Sequence, residues 1–169
     1  MSNLDAVIGI FSDDTEKAAE FLQRYEKEHD QLGITEAVAI VNEHEKKPNV
    51  TYMGTSKKKG AGVGIVTGAL VGLVGGPVGV VVGGALGAFG GASAVAASHI
   101  GVSKNLIENV EDKMPENGSA ILVLVEPASS HLIINDLSRA EATIVNETIT
   151  SEQFDKASLI SPSSGIAES

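Results

Sequence analysis

Histidine flanked by carboxylates is the usual material of metal sites and acid–base pairs, so the run Glu43-His44-Glu45 is the first place to look for chemistry. On extended backbone the two glutamates would share one side and His44 would point to the other. That splits the set, and the run reads better as a solvated charged turn. His29 falls near the C-terminal end of an expected helix, where a histidine complements the helix dipole. His99 adjoins the end of an apolar segment and would mark its boundary with water. His131 follows Ser129-Ser130, with no carboxylate at motif spacing. There is no nucleophile elbow, HExxH, EF-hand loop or CxxC. The chain also has no cysteine, which removes thiol chemistry, disulfides and thiolate metal sites. The sequence therefore predicts no catalytic residue, no cofactor and no metal site. Lys57, Lys58 and Lys59 form the remaining polar candidate. They could bind anionic lipid headgroups at ~1 kcal/mol per charge, or serve only as a solubilising flank.

What these lysines introduce is more informative. Glycine recurs at every fourth residue in two overlapping series: Gly60, Gly64, Gly68, Gly72, Gly76, and then Gly75, Gly79, Gly83, Gly87, Gly91. Between them lie mostly Val, Ile, Leu and Ala, and no charged residue occurs from Ala61 to Ser98. Small residues spaced by four leave a groove in which a second helix backbone can lie close. Pro77, after Gly75-Gly76, cannot continue a helix but suits the first turn of a new one. The segment thus predicts a helical hairpin over 56–101. Arm one would run from about Ser56 to Val74, arm two from about Pro77 to Ser98, roughly 28 and 33 Å long. The hydrocarbon core is ~30 Å thick, so arm two spans it, and arm one does so if the lysines reach the surface. Arm two carries a second small stripe, Gly84, Ala88, Ala92 and Ala96, which a neighbouring chain could occupy. A contact following a spacing of four should cross right-handed, at about −40°. A polar linker and a phosphate loop are both excluded by composition and by the missing GxxxxGK[ST]. The open alternative is a hairpin buried in protein instead of lipid.

Composition sets the rest of the frame. A formal net charge of −10 over 169 residues makes nucleic acid an unsuitable partner. Only 4% of residues are aromatic and none is Trp, which argues against base stacking and sugar platforms. The start, MSNLDAVIGIFSDD, has no basic stretch before its apolar run and does not read as a secretory signal.

Outside the glycine segment the chain alternates strand and helix signals. Asp5 to Phe11 reads as a buried strand and Thr15 to Gln31 as a helix that turns Ala18, Phe21, Leu22, Tyr25 and His29 to one side. Gly33 suits its stop. Ala37 to Val41 and Val50 to Met53 are further strands. After the segment, Ser103 can cap a helix from Lys104 to Met114, with Leu106, Ile107, Val110 and Met114 in one stripe. Ala120 to Val125 is the clearest central strand. Ser129 to Leu137 reads as a helix with Leu132, Ile133 and Leu137 inward, and Ala142 to Val145 as a last strand. Ser151 to Ala157 adds a helical turn or two, before a Ser-rich tail. The first six elements fit the ferredoxin-like βαββαβ plan. The expected fold is therefore α+β, built from 1–55 and 102–150, interrupted by a glycine-zipper hairpin at 56–101 and followed by 151–169.

The chain resembles bacterial and archaeal proteins catalogued as domain of unknown function twelve-sixty-nine, often described as membrane proteins. The likeness rests on DAVIGIFSDDTEKAAEFL, EAVAIVNEHEKKPNVTYMGTSKKKGAG, GALVGLVGGPVGVVVGGALGAFGG, ENGSAILVLVEPAS and SRAEATIVNETITSEQ, over roughly Asp5 to Ser151. The resemblance implies architecture and membrane association, and carries no activity over. The resulting expectation is a non-enzymatic homo-oligomer, structural or stress-related, with its α+β domain at the cytoplasmic face of the inner membrane. A soluble cytoplasmic ring, cage or filament with hairpins buried between subunits is the second reading, and a small-ligand sensor the third.

Overall fold

The computed structural model describes residues 2–43, 46, 49–53, 63, 66–71, 101–113 and 115–159. Strand β1 (Leu4–Ser12) leads through a turn to helix α1 (Lys17–Leu32). Asp14 secures the helix start, its carboxylate accepting from the amides of Glu16 and Lys17 at 3.0 and 2.9 Å. Gly33 ends the helix at φ 66°, a left-handed conformation that suits glycine. Its amide reaches back to Asp30 O, so a helix carbonyl gains a partner. Strand β2 (Ile34–Asn42) starts at once, three residues earlier than the sequence suggests. Strand β3 (Asn49–Tyr52) is short. Helix α2 (Lys104–Lys113) begins where expected, with Ser103 Oγ accepting from the Leu106 amide at 3.1 Å. Strand β4 (Gly118–Val125) and a 3-10 turn (Pro127–Ser129) precede helix α3 (Ser130–Arg139). Strand β5 (Thr143–Ile149) and helix α4 (Ser151–Leu159) complete the described chain, each longer than its sequence signal.

The five strands form one antiparallel sheet in the order β3-β2-β4-β1-β5. β4 sits at its centre, pairing Val123 with both Val7 and Ala37. All eight of its residues are buried. Helices cover both sides of the sheet, which explains why β1, β2 and β4 are continuous apolar runs without alternation. On one side, Val7, Phe11, Ala37, Ala39, Ile121, Val123 and Val125 meet α1 and α3. Phe11 stacks on Phe21 there with ring centroids 5.6 Å apart, and the Tyr25 ring meets Phe21 at a tilt of 55°, 5.7 Å away. On the other side, Ile8, Ile10, Val38, Ile40, Leu122, Leu124, Val145 and Ile149 meet α2, α4 and residues of the glycine segment.

One expectation needs correcting. The sequence predicts Leu132 inward, but it is 45% exposed, while Ile133 and Leu137 are buried. Ile133 and Leu137 form the stripe that faces the sheet over β1 and β5, and Leu132 lies off it. The helix after β5 packs onto the domain, with Phe154 and Ala157 buried in the second core.

Gly118 marks the tightest point. A Cβ there would collide with the Phe11 carbonyl oxygen and lie 2.7 Å from Pro115 Cγ. The β1–β4 pairing closes at Ser12 opposite Gly118, and no side chain fits between them.

Candidate functional site

Two places bear on function: the start of the glycine segment and a depression between α1 and α3. Of the segment, Val63 and residues 66–71 are described, and all of these are helical. Every residue from Val66 to Val71, Gly68 among them, is buried. Val63, Val66, Ala69, Leu70 and Val71 join the core that contains Ile8, Leu122, Leu106 and Phe154. Six consecutive buried residues cover more than a full turn of 3.6, so this stretch is enclosed around its whole circumference. Thr67 is 2% exposed, and its hydroxyl has no hydrogen-bond partner among the described residues. The packing residues Gly60, Gly64, Gly72, Gly76, Gly79, Gly83, Gly84, Gly87, Ala88, Gly91 and Ala92 lie outside the described residues, as do Lys57, Lys58 and Lys59. Among the described residues no helix is long and apolar enough to cross a membrane.

The depression has a volume of about 390 Å³ and is lined by Lys17, Glu20, Phe21, Arg24, Asp136, Arg139 and Ala140. Both arginines of the chain are here. Arg24 donates to Asp136 through two nitrogens at 3.2 and 2.7 Å, a fork-to-fork pair. The same guanidinium lies 4.6 Å above the Phe21 ring and 5.6 Å from that of Tyr25. The Tyr25 hydroxyl donates to Asp136 at 2.9 Å. Burial pushes the Tyr25 hydroxyl well above the usual phenol range, and the charge of Asp136 adds to this. Tyr25 therefore stays a neutral donor, and Asp136 receives three hydrogen bonds. Lys17 pairs loosely with Glu20 at 3.6 Å. This arrangement clamps α1 to α3. Ser, Thr, Cys and His are absent from its described lining.

The other candidates disperse. Glu43 pairs with Lys46 at 2.7 Å on the surface, and His44 and Glu45 lie outside the described residues. His29 uses Nδ1 to bond Glu26 O at 2.9 Å and sets Nε2 3.3 Å from Asp30, both within its own helix. His131 is exposed on α3, and His99 lies outside the described residues. Among the described residues no group of three or more His, Asp and Glu side chains is placed to hold a metal. The sequence reading missed the Arg24–Asp136–Tyr25 group, whose partners are more than a hundred residues apart. It also missed Glu36, 3% exposed, whose carboxylate accepts from the Ala37 amide at 3.1 Å. Burial and the Glu36 charge together raise the Tyr52 hydroxyl. No local spacing announces either group.

A five-stranded antiparallel sheet with helices on both sides places the molecule in the mixed α+β class. The chain belongs to the family described as Protein of unknown function (DUF1269), whose family model matches residues 61–159, more than half of the chain. That span runs from the glycine segment through α4. No curated protein and no solved structure gave a significant match.

Proposed function

We propose that this chain is a non-enzymatic, self-associating cytoplasmic protein whose glycine-zipper hairpin is buried by protein, first by its own sheet and then by neighbouring copies. The observation that carries this reading is the burial of Val66 to Val71 in the chain's own core. A lipid-facing arm would leave part of its circumference outside the domain. The remaining small residues, Gly79, Gly83, Gly87 and Gly91 with Gly84, Ala88 and Ala92, are then the surface offered to other copies. The −10 charge on the outside keeps finished particles apart. The sheet is read as a ferredoxin-like plan made of β1, α1, β2, β4, α3 and β5. In support, β4 lies between β1 and β2, and β5 flanks β1. These are not the first six elements of the chain: β3, the glycine segment and α2 form one insertion between β2 and β4.

The competing reading, membrane insertion of the hairpin, draws on sequence: the uncharged run from Ala61 to Ser98 behind three lysines. One experiment separates them. The full chain, purified without detergent, is sized by light scattering and mixed with vesicles containing anionic lipid. Protein burial predicts one discrete multi-subunit mass that stays at the bottom of a flotation gradient. Flotation with the vesicles would establish the membrane reading in its place. Gly87→Leu, which blocks close approach of helices, should lower the mass. An unchanged mass would remove the glycine series as the contact.

A further inference from the structure

The sheet has two outer strands, and they differ. β3 has four residues, and short edges resist further pairing. β5 has seven, Thr143 to Ile149, and pairs with β1 in unbroken register from Ile10–Thr143 to Leu4–Ile149. Sheet edges are normally guarded by charged residues, above all lysine, by proline, by a bulge or by a covering segment. β5 contains no lysine, proline or bulge. Five of its seven residues are β-branched: Thr143, Ile144, Val145, Thr148 and Ile149. Its one charge, Glu147, accepts from the Ser103 amide of its own chain at 3.0 Å. Among the described residues no strand lies outside β5.

We propose that β5 is a homodimerisation edge, where a second copy of this chain adds its own β5 antiparallel about a two-fold axis at Asn146 and joins two sheets into one of ten strands. The strand is self-complementary in that register. Asn146 would face Asn146, Val145 would face Glu147, Ile144 would face Thr148, and Thr143 would face Ile149. No like charges meet, and β-branched side chains oppose each other in the outer pairs. Each pair also keeps to one side of the sheet. Val145 and Ile149 already belong to the α2–α4 core, and Ile144 packs toward the α1–α3 core. A two-fold axis normal to the sheet preserves these sides, and the register therefore extends both layers. A different occupant, such as an extended peptide of another protein, would have no reason to respect this symmetry.

The absence of cysteine makes the register directly testable. Asn146 is exposed, so Asn146→Cys does not disturb the core. Across the axis its copies would sit at the ~5 Å Cα separation a disulfide requires. Thr148 is exposed on the same side. In this register its two copies are four residue steps apart, about 13 Å, beyond disulfide reach. Mild oxidation of the full-length variants, read on a non-reducing gel, should cross-link Asn146→Cys into dimers and leave Thr148→Cys monomeric. Cross-linking of both, of neither, or of Thr148→Cys alone would overturn the proposal. Asn146→Lys, which sets like charges opposite each other, should raise the dimer dissociation constant about fivefold. An unchanged constant counts against the edge. Adding Gly87→Leu to Asn146→Cys should leave the cross-link intact, and its loss would mean that the glycine segment alone brings the chains together.

Discussion

Replacing Leu70 by alanine tests whether the start of the glycine segment belongs to the domain core. Leu70 is fully buried among Ile8, Leu122 and their neighbours. The substitution removes three buried carbons, worth about 2.4 kcal/mol at ~0.8 kcal/mol each. A void that relaxes to about 40 Å³ adds roughly 1 kcal/mol. The expected loss is therefore about 3–4 kcal/mol, a large share of the ~5–15 kcal/mol typical of a domain. For a chain of this length it corresponds to a midpoint drop of roughly 6–16 °C. Urea unfolding followed by far-UV circular dichroism gives the number, at fixed protein concentration because self-association links concentration to stability. Leu159→Ala is the matched control: Leu159 is 85% exposed and its truncation should stay within about 0.5 kcal/mol. If Leu70 packed only in lipid, a lipid-free domain would not sense its loss. A change below about 1 kcal/mol, or one equal to that of Leu159→Ala, would refute the burial on which the proposed function rests.

Two further outcomes follow from the same geometry. The Tyr25 hydroxyl is raised by burial and by Asp136, so the native state holds its proton where the unfolded chain releases it, above about pH 10. Its contribution to stability is complete below that pH and is lost as pH rises. Tyr25→Phe should reduce the alkaline slope of unfolding free energy by about 1.4 kcal/mol per pH unit, and an unchanged slope would refute the shift. Gly118→Ala should cost more than about 2 kcal/mol in thermal unfolding, because the added carbon meets the Phe11 carbonyl and Pro115. A near-neutral effect would show that the end of the β1–β4 pairing, at Ser12 and Gly118, is looser than described.

Much of the fold was legible residue by residue. AILVLV announced the central strand because a strand covered on both sides must be apolar throughout, and β4 is buried at every position. The α1 stripe Ala18, Phe21, Leu22 and Tyr25 followed from helical periodicity, and all four are buried. Ser103 and Gly33 marked helix ends because caps act through local backbone groups. The edge strand β5 was read too short because Asn146 and Thr148 are polar and exposed. Such residues weaken an apolar signal without weakening backbone pairing to β1.

Sequence by itself thus determined the element types, the net negative charge, the lack of cysteine and the presence of glycines at a spacing of four. Each depends on composition or on spacing within one element. Tertiary structure decided what the elements meet. It set β4 between β1 and β2, joined Arg24 and Tyr25 to Asp136 across more than a hundred residues, and placed Val66 to Val71 within the chain's own core. Periodicity identifies an apolar helix but is blind to its surroundings, since lipid and protein interior both satisfy the same side chains. Only long-range packing distinguishes the two.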